Sequence, residues 1–135
     1  MQYRPLNILI ADDDEEDLEL IEEAILGLEP KTELHKVMNG KAAVEYLGSL
    51  ADHQLPSLII LDYNMPELNG SEVLLMLCGE RRYENVPKVI LSTSNAPLYM
   101  HECLSNGASA YFVKPNTKKE LDTLAEEMLG LALLS

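Results

Sequence analysis

The residues with most chemistry to offer in this chain are acidic, and they stand in two places. Asp12, Asp13 and Asp14 follow directly on the apolar run Ile8 to Ala11, and Asp62 ends a second apolar run, Leu58 to Leu61. An unbroken apolar run of this length between turn residues reads as a strand buried on both faces. A carboxylate at the carboxyl end of such a strand lies where open α/β sheets bind their ligands. Taken alone, Asp62 could equally cap a turn, because Asn64, Met65-Pro66 and Asn69-Gly70 break regular structure after it. Two further residues complete the set. Lys114 follows Tyr111-Phe112-Val113 and precedes Pro115, whose peptide bond could be cis, and Ser92 follows the apolar stretch that ends in Leu91.

If Asp12, Asp13 and Asp62 share one cleft, their charges repel, and a hard divalent cation is the usual resolution. Mg²⁺ is typically held by one or two carboxylates together with water and a phosphate oxygen. Asp13 reads as a metal ligand, whereas Asp14 to Asp17 read as a solvated helix start. Lys114 can pair with Asp62 or with a phosphoryl oxygen, and the Ser92 hydroxyl is a second donor. Phosphoryl transfer needs mainly positioning and charge stabilisation. A carboxylate nucleophile that becomes an aspartyl phosphate is established chemistry.

The elements that must position these groups follow from periodicity. Strands are expected at Ile8 to Ala11, Glu33 to Met38, Leu58 to Leu61, Lys88 to Leu91 and Ala108 to Val113. Helices are expected between and after them. Leu18, Ile21, Ile25 and Leu28 stripe the first, with Asp14 as N-cap and Pro30 as stop. Ala42, Ala43, Tyr46, Leu47 and Leu50 stripe the second, and Val73, Leu74, Leu77 and Cys78 the third. Leu98, Cys103 and Leu104 are the expected inward residues of the fourth, closed by Gly107 in a left-handed cap. Leu121, Leu124, Met128 and Leu131 stripe the fifth. Five such alternations imply an α/β fold, a doubly wound parallel sheet with helices on both faces. Right-handed crossovers bring every strand's carboxyl end to one edge. Asp12, Asp13, Asp62, Ser92 and Lys114 are therefore expected to converge there.

Composition bounds the rest. A chain of 135 residues, 47% of them apolar, suits one domain spanning residues 1–135. The formal charge of −13 argues against nucleic acid or an anionic membrane surface as a direct partner. No apolar stretch approaches the roughly 20 residues that span a bilayer, and Arg4 before a short apolar run makes a poor leader. Cys78 and Cys103 show no metal-ligand spacing and read as reduced, mostly buried thiols, in keeping with a cytoplasmic location. His35, His53 and His101 read as surface or loop residues, not phosphodonors.

Together these motifs resemble a response-regulator receiver domain of the chemotaxis type. The acidic pair Asp12-Asp13, the core Asp62-x-x-Met65-Pro66 with Gly70, the hydroxyl residue Ser92 and the pair Lys114-Pro115 all carry the resemblance, which covers about residues 7 to 133. It implies a flavodoxin-like (βα)5 fold with strand order 2-1-3-4-5. It also implies that Asp62 accepts the phosphoryl group. Mg²⁺ would then be bound by Asp13 and Asp62, by Asp12 mainly through water, and by the backbone carbonyl of Asn64. Ser92 and Lys114 would contact the phosphoryl group, and Tyr111 would occupy an aromatic switch position, turning inward as Ser92 is drawn toward Asp62. Two positions depart from the common pattern. Ser92 stands where Thr is usual, and Ser94 is small and uncharged, which bears on the lifetime of the phosphorylated state.

The expected function is thus a phosphoacceptor in a two-component phosphorelay, not an enzyme. A histidine kinase or histidine phosphotransfer protein would supply the phosphoryl group. The last helix lies close to the end of the sequence, so a stand-alone receiver is expected, signalling through a downstream protein or a phosphorylation-dependent homodimer. Two rivals belong to other classes. An Asp-nucleophile metal-dependent phosphatase is disfavoured because Asn64 replaces the second acid of an Asp-x-Asp pair. A non-phosphorylated receiver-like interaction domain is disfavoured because Asp13, Asp62, Ser92 and Lys114 are all present.

Overall fold

The computed structural model describes residues 5–134; Arg4, weighed above as part of a leader, and the outermost residues of the 1–135 domain lie outside the described residues. Five strands alternate with five helices. They are β1 (Asn7–Ala11), α1 (Glu15–Leu28), β2 (Glu33–Val37), α2 (Gly40–Ser49), β3 (Leu58–Asp62), α3 (Gly70–Cys78), β4 (Lys88–Ser92), α4 (Pro97–Ser105), β5 (Ala110–Val113) and α5 (Lys118–Leu134). All strand pairs are parallel, in the order β2-β1-β3-β4-β5. The flavodoxin-like order is as expected. β5 is shorter than its apolar run, and single 3₁₀ turns at Asp52–Gln54 and Arg81–Tyr83 precede β3 and β4.

The two-residue period of the strands sorts the core into two layers. Ile8, Ile10, Leu58, Ile60, Val89 and Leu91 meet Leu18, Ile21 and Ile25 of α1 and Leu124 and Met128 of α5. Leu9, Ala11, Ile59, Leu61 and Ile90 face the opposite way, toward Ala43, Leu47, Val73, Leu74, Leu77 and Cys103 of α2, α3 and α4. β3 and β4 are buried along their whole length, which is why they read as continuous apolar runs. Asp14 caps α1, its side chain accepting from the backbone N–H groups of Glu16 and Asp17. Gly107 follows α4 at φ +106°, a conformation that favours glycine.

Three expectations about facing fail. Leu98 and Leu104 are 73% and 50% exposed, so of the residues expected inward on α4 only Cys103 is buried. At 100° per residue these three positions do not share a face. What holds α4 instead is partly polar. The Ser71 hydroxyl donates to Glu102 at 2.6 Å, the Tyr63 hydroxyl donates to the same carboxylate at 3.3 Å, and the Asn106 amide donates to Ser71 at 3.0 Å. Cys78, at the end of α3, is exposed, unlike the buried Cys103. Leu28 is 40% exposed, because the α1 stripe has rotated off the sheet by its last turn. The described peptide bonds, Lys114-Pro115 included, are trans. His35, His53 and His101 are all exposed, as expected; the His35 ring, on β2, stacks on Tyr46 with centroids 3.6 Å apart. No helix among the described residues is long and apolar enough to cross a membrane.

Candidate functional site

Strand register builds the site. Ala11 is level with Leu61, so Asp12 and Asp62 stand side by side one step on. Asp62 is level with Leu91 and Ser92 with Val113, which staggers Ser92 and Lys114 just beyond. The Lys114 N–H donates to the Ser92 carbonyl at 2.7 Å and ties the end of β5 to this edge. Asp12 and Asp62 are almost fully buried and Asp13 is exposed. The carboxylates of Asp12, Asp13 and Asp62 offer oxygens that all lie within 4.8 Å of one another. Three clustered carboxylates open to solvent on one side form an all-oxygen donor set, and this suits a hard divalent cation that keeps water or a phosphate oxygen in its remaining positions.

The electrostatics show what such an ion would relieve. Burial, then the neighbouring Asp12 carboxylate, push the Asp62 carboxyl up to about 7, and Lys114 offsets only part of this. The Lys114 ammonium lies 3.0 Å from Asp12, 2.8 Å from Asp17 and 3.4 Å from Asp62. Burial alone would lower its pKa, but the hydrogen bonds to Asp17 and Asp12 more than reverse that and raise it.

Two loops complete the edge. After β3, Asn64 is exposed and borders an open hollow with Asp13, Glu67 and Glu72. Glu67 adopts φ +72° in a γ-turn closed by the Leu68 N–H donating to the Pro66 carbonyl at 2.9 Å. Gly70 ends this loop under close approach: a Cβ there would lie 2.6 Å from the Asp62 carbonyl oxygen. After β4, Ser92 is fully buried, and its hydroxyl oxygen accepts from the Ser94 N–H at 3.1 Å, which leaves the O–H to donate. Tyr111 is already inward. Only 8% of it is exposed, and its hydroxyl donates to the Ser94 carbonyl at 2.7 Å.

The expected residues thus fall into two groups. Asp12, Asp13, Asp62 and Lys114 converge directly, with Asn64 beside them. Ser92 and Tyr111 are linked to each other through Ser94. Reasoning from sequence missed Asp17, which was assigned to the solvated helix start and instead holds Lys114. The available signal was its place in the first turn of a helix whose N-cap follows the site strand at once. Tyr63, directly after Asp62, turns instead to α4, where burial and the Glu102 carboxylate push its hydroxyl up to about 12.

A parallel sheet in this order, with clustered carboxylates and a lysine at its carboxyl edge, defines a receiver. The chain belongs to the response-regulator receiver family, whose model, the response regulator receiver domain, matches residues 8–126. It is similar to the two-component response regulator ORR11 of Oryza sativa subsp. indica, 33% identical over 125 residues that cover 93% of this chain and 82% of that one. It is equally similar to the two-component response regulator ARR17 of Arabidopsis thaliana, 33% identical over 133 residues that cover 93% and 86%. Among solved structures, the phosphorylated cyanobacterial phytochrome response regulator RcpA superposes with a TM-score of 0.86 at 26% identity, covering 96% of this chain and 95% of that one. The Mn²⁺-bound form of response regulator Rcp1 gives 0.79 at 27% identity, covering 91% of each.

Proposed function

We propose that this receiver takes a phosphoryl group on Asp62 from the phosphohistidine of a histidine kinase or histidine phosphotransfer protein, and that Mg²⁺ is its cofactor. The observation that carries the reading is the gathering of three carboxylates within 4.8 Å, with a lysine ammonium 3.4 Å from Asp62. Asp13 and Asp62 would hold the ion, with Asp12 acting through water and the Asn64 carbonyl as a further ligand. Mg²⁺, when bound, neutralises charge between acceptor and phosphoryl oxygens. An Asp62 oxygen forms the new bond to phosphorus. The phosphorus–nitrogen bond of the donor breaks, and its electron pair stays on the imidazole, which takes a proton. The Ser92 O–H and the Lys114 ammonium then donate to the phosphoryl oxygens, as charge-assisted bonds about twice as strong as neutral ones. RcpA, 26% identical, is described as phosphorylated, and Rcp1, 27% identical, as bound to Mn²⁺; both support the reading.

The group is accepted stoichiometrically, in the cytoplasm, and the output is a protein contact with a downstream partner or a second copy of the chain. Tyr111, bound to Ser94, is the switch residue that reports on Ser92. Incubation with a small acyl phosphate and Mg²⁺ tests the acceptor. One base-labile phosphoryl group per chain, absent in Asp62→Asn, is expected. Multiple turnover would indicate a phosphatase instead, and absence of label an inert interaction domain.

A further inference from the structure

We propose that Asp17 is the resting counter-ion of Lys114 and competes with the phosphoryl group for it. Asp17 would then be a positioning residue that limits how strongly Lys114 holds the modified site. The inference rests on Asp62 being the acceptor. It begins with the order of distances around the ammonium: Asp17 is nearest at 2.8 Å, Asp12 next at 3.0 Å and the acceptor farthest at 3.4 Å. Only the first two have hydrogen-bond geometry. An ammonium has three protons to donate, and here its two good bonds go to carboxylates other than the acceptor.

Asp17 differs from its rival in two ways. It is not part of the carboxylate cluster suited to a cation, which comprises Asp12, Asp13 and Asp62. A cation held there would engage Asp12 and Asp62 and would leave Asp17 as the lysine's one carboxylate partner outside the cation site. Its side chain is also 33% exposed, against 2% for Asp12. A partner one-third exposed gives up an ion pair at smaller cost, because water replaces the ammonium, whereas a buried one would be left uncompensated. Asp17 is therefore a partner that Lys114 can leave. Its place is fixed by the first turn of α1, where its own N–H donates to the Asp14 cap. The lysine stem lies beside Ile21, Leu91 and Leu121, a small apolar surface along which the ammonium can shift without exposing the stem.

The test is a double-mutant cycle on the full chain, read by binding of trifluoroberyllate, a tetrahedral phosphoryl mimic, at saturating Mg²⁺. Asp17→Asn is expected to bind the mimic about three- to tenfold more tightly than the wild type, the range for a partly exposed charged hydrogen bond. Asp17→Glu, which restores the carboxylate, should bind within about twofold of the wild type. In a Lys114→Ala background, which binds more weakly, Asp17→Asn should change nothing. Equal or weaker binding by Asp17→Asn would overturn the proposal, and so would the same tightening with and without Lys114, which would reflect net charge alone. A wild type that binds no mimic would overturn the acceptor reading itself, a result distinct from any difference among the variants.

Discussion

Asp62 sits in a conflict of charge that the bare fold does not resolve, and this makes its titration visible. Its carboxyl is raised to about 7, chiefly by burial and then by Asp12. The metal-free fold thus holds this proton more tightly than the unfolded chain does, so this group's contribution to stability is fully present below its ordinary value of 3.8 and is lost as pH rises through about 7. In chelator, the melting temperature is expected to fall by roughly 5 °C between pH 5.5 and 8, and Asp62→Asn to flatten that slope; an unchanged slope in the variant would place the titration elsewhere. Asp13, the exposed member of the carboxylate cluster, is the residue to remove for metal. Asp13→Asn should weaken Mg²⁺ binding at least about tenfold and slow phosphorylation, without lowering the metal-free melting temperature. Calorimetric titration checks this, and unchanged affinity would take Asp13 out of the site. At this scale the chain was largely legible, because Asp12, Asp62, Ser92 and Lys114 all stand directly at strand ends. Asp17 was not legible, because an acidic residue in a first helical turn has a sufficient explanation in the helix dipole.

Among the elements, the β3–α3 loop is the most constrained. Gly70 is pressed against the Asp62 carbonyl and donates its N–H to the Tyr63 carbonyl at 2.9 Å. Gly70→Ala forces backbone apart in a packed region, at a cost of about 1–3 kcal/mol. The same shift would move Asp62, so chemical denaturation should show the loss and Mg²⁺ affinity should fall with it. A variant as stable as the wild type would show that the loop yields freely. Periodicity read α1, α2 and α5 well because each buries a stripe at helical spacing. It failed on α4, whose docking relies partly on Glu102, Ser71, Tyr63 and Asn106. Polar contacts between residues far apart in the chain leave no period to detect.

For the whole molecule, strand–helix alternation was enough to infer a parallel sheet and one shared edge, while the order of the strands came only with the family resemblance. Nothing in the alternation distinguishes β1 from β2 as the neighbour of β3. The same edge would join the proposed acceptor to the proposed output. Ser92 and Tyr111 are linked through Ser94, and Tyr111 packs in the core layer that includes Cys103 of α4. Because Tyr111 is already inward, a phosphoryl group on Asp62 would have no large rotation left to drive and would act by tightening what Ser92 holds. Trifluoroberyllate should increase hydrogen-exchange protection across residues 92–130 in the wild type. Tyr111→Ala should bind the mimic nearly normally and lose most of that gain, and no gain in the wild type would sink the route. The lysine that answers the acidic cluster lies 102 residues along the chain from Asp12 and arrives with β5, the outermost strand on its side of the sheet. Contacts so distant in sequence are slow to form during folding. A nascent or frayed chain with β1, β3 and β4 paired already has its crowded carboxylates but lacks their cation. With Asp62 as the proposed acceptor, such a species would lack the lysine that meets the phosphoryl group, and competence to signal would arrive only with the last strand.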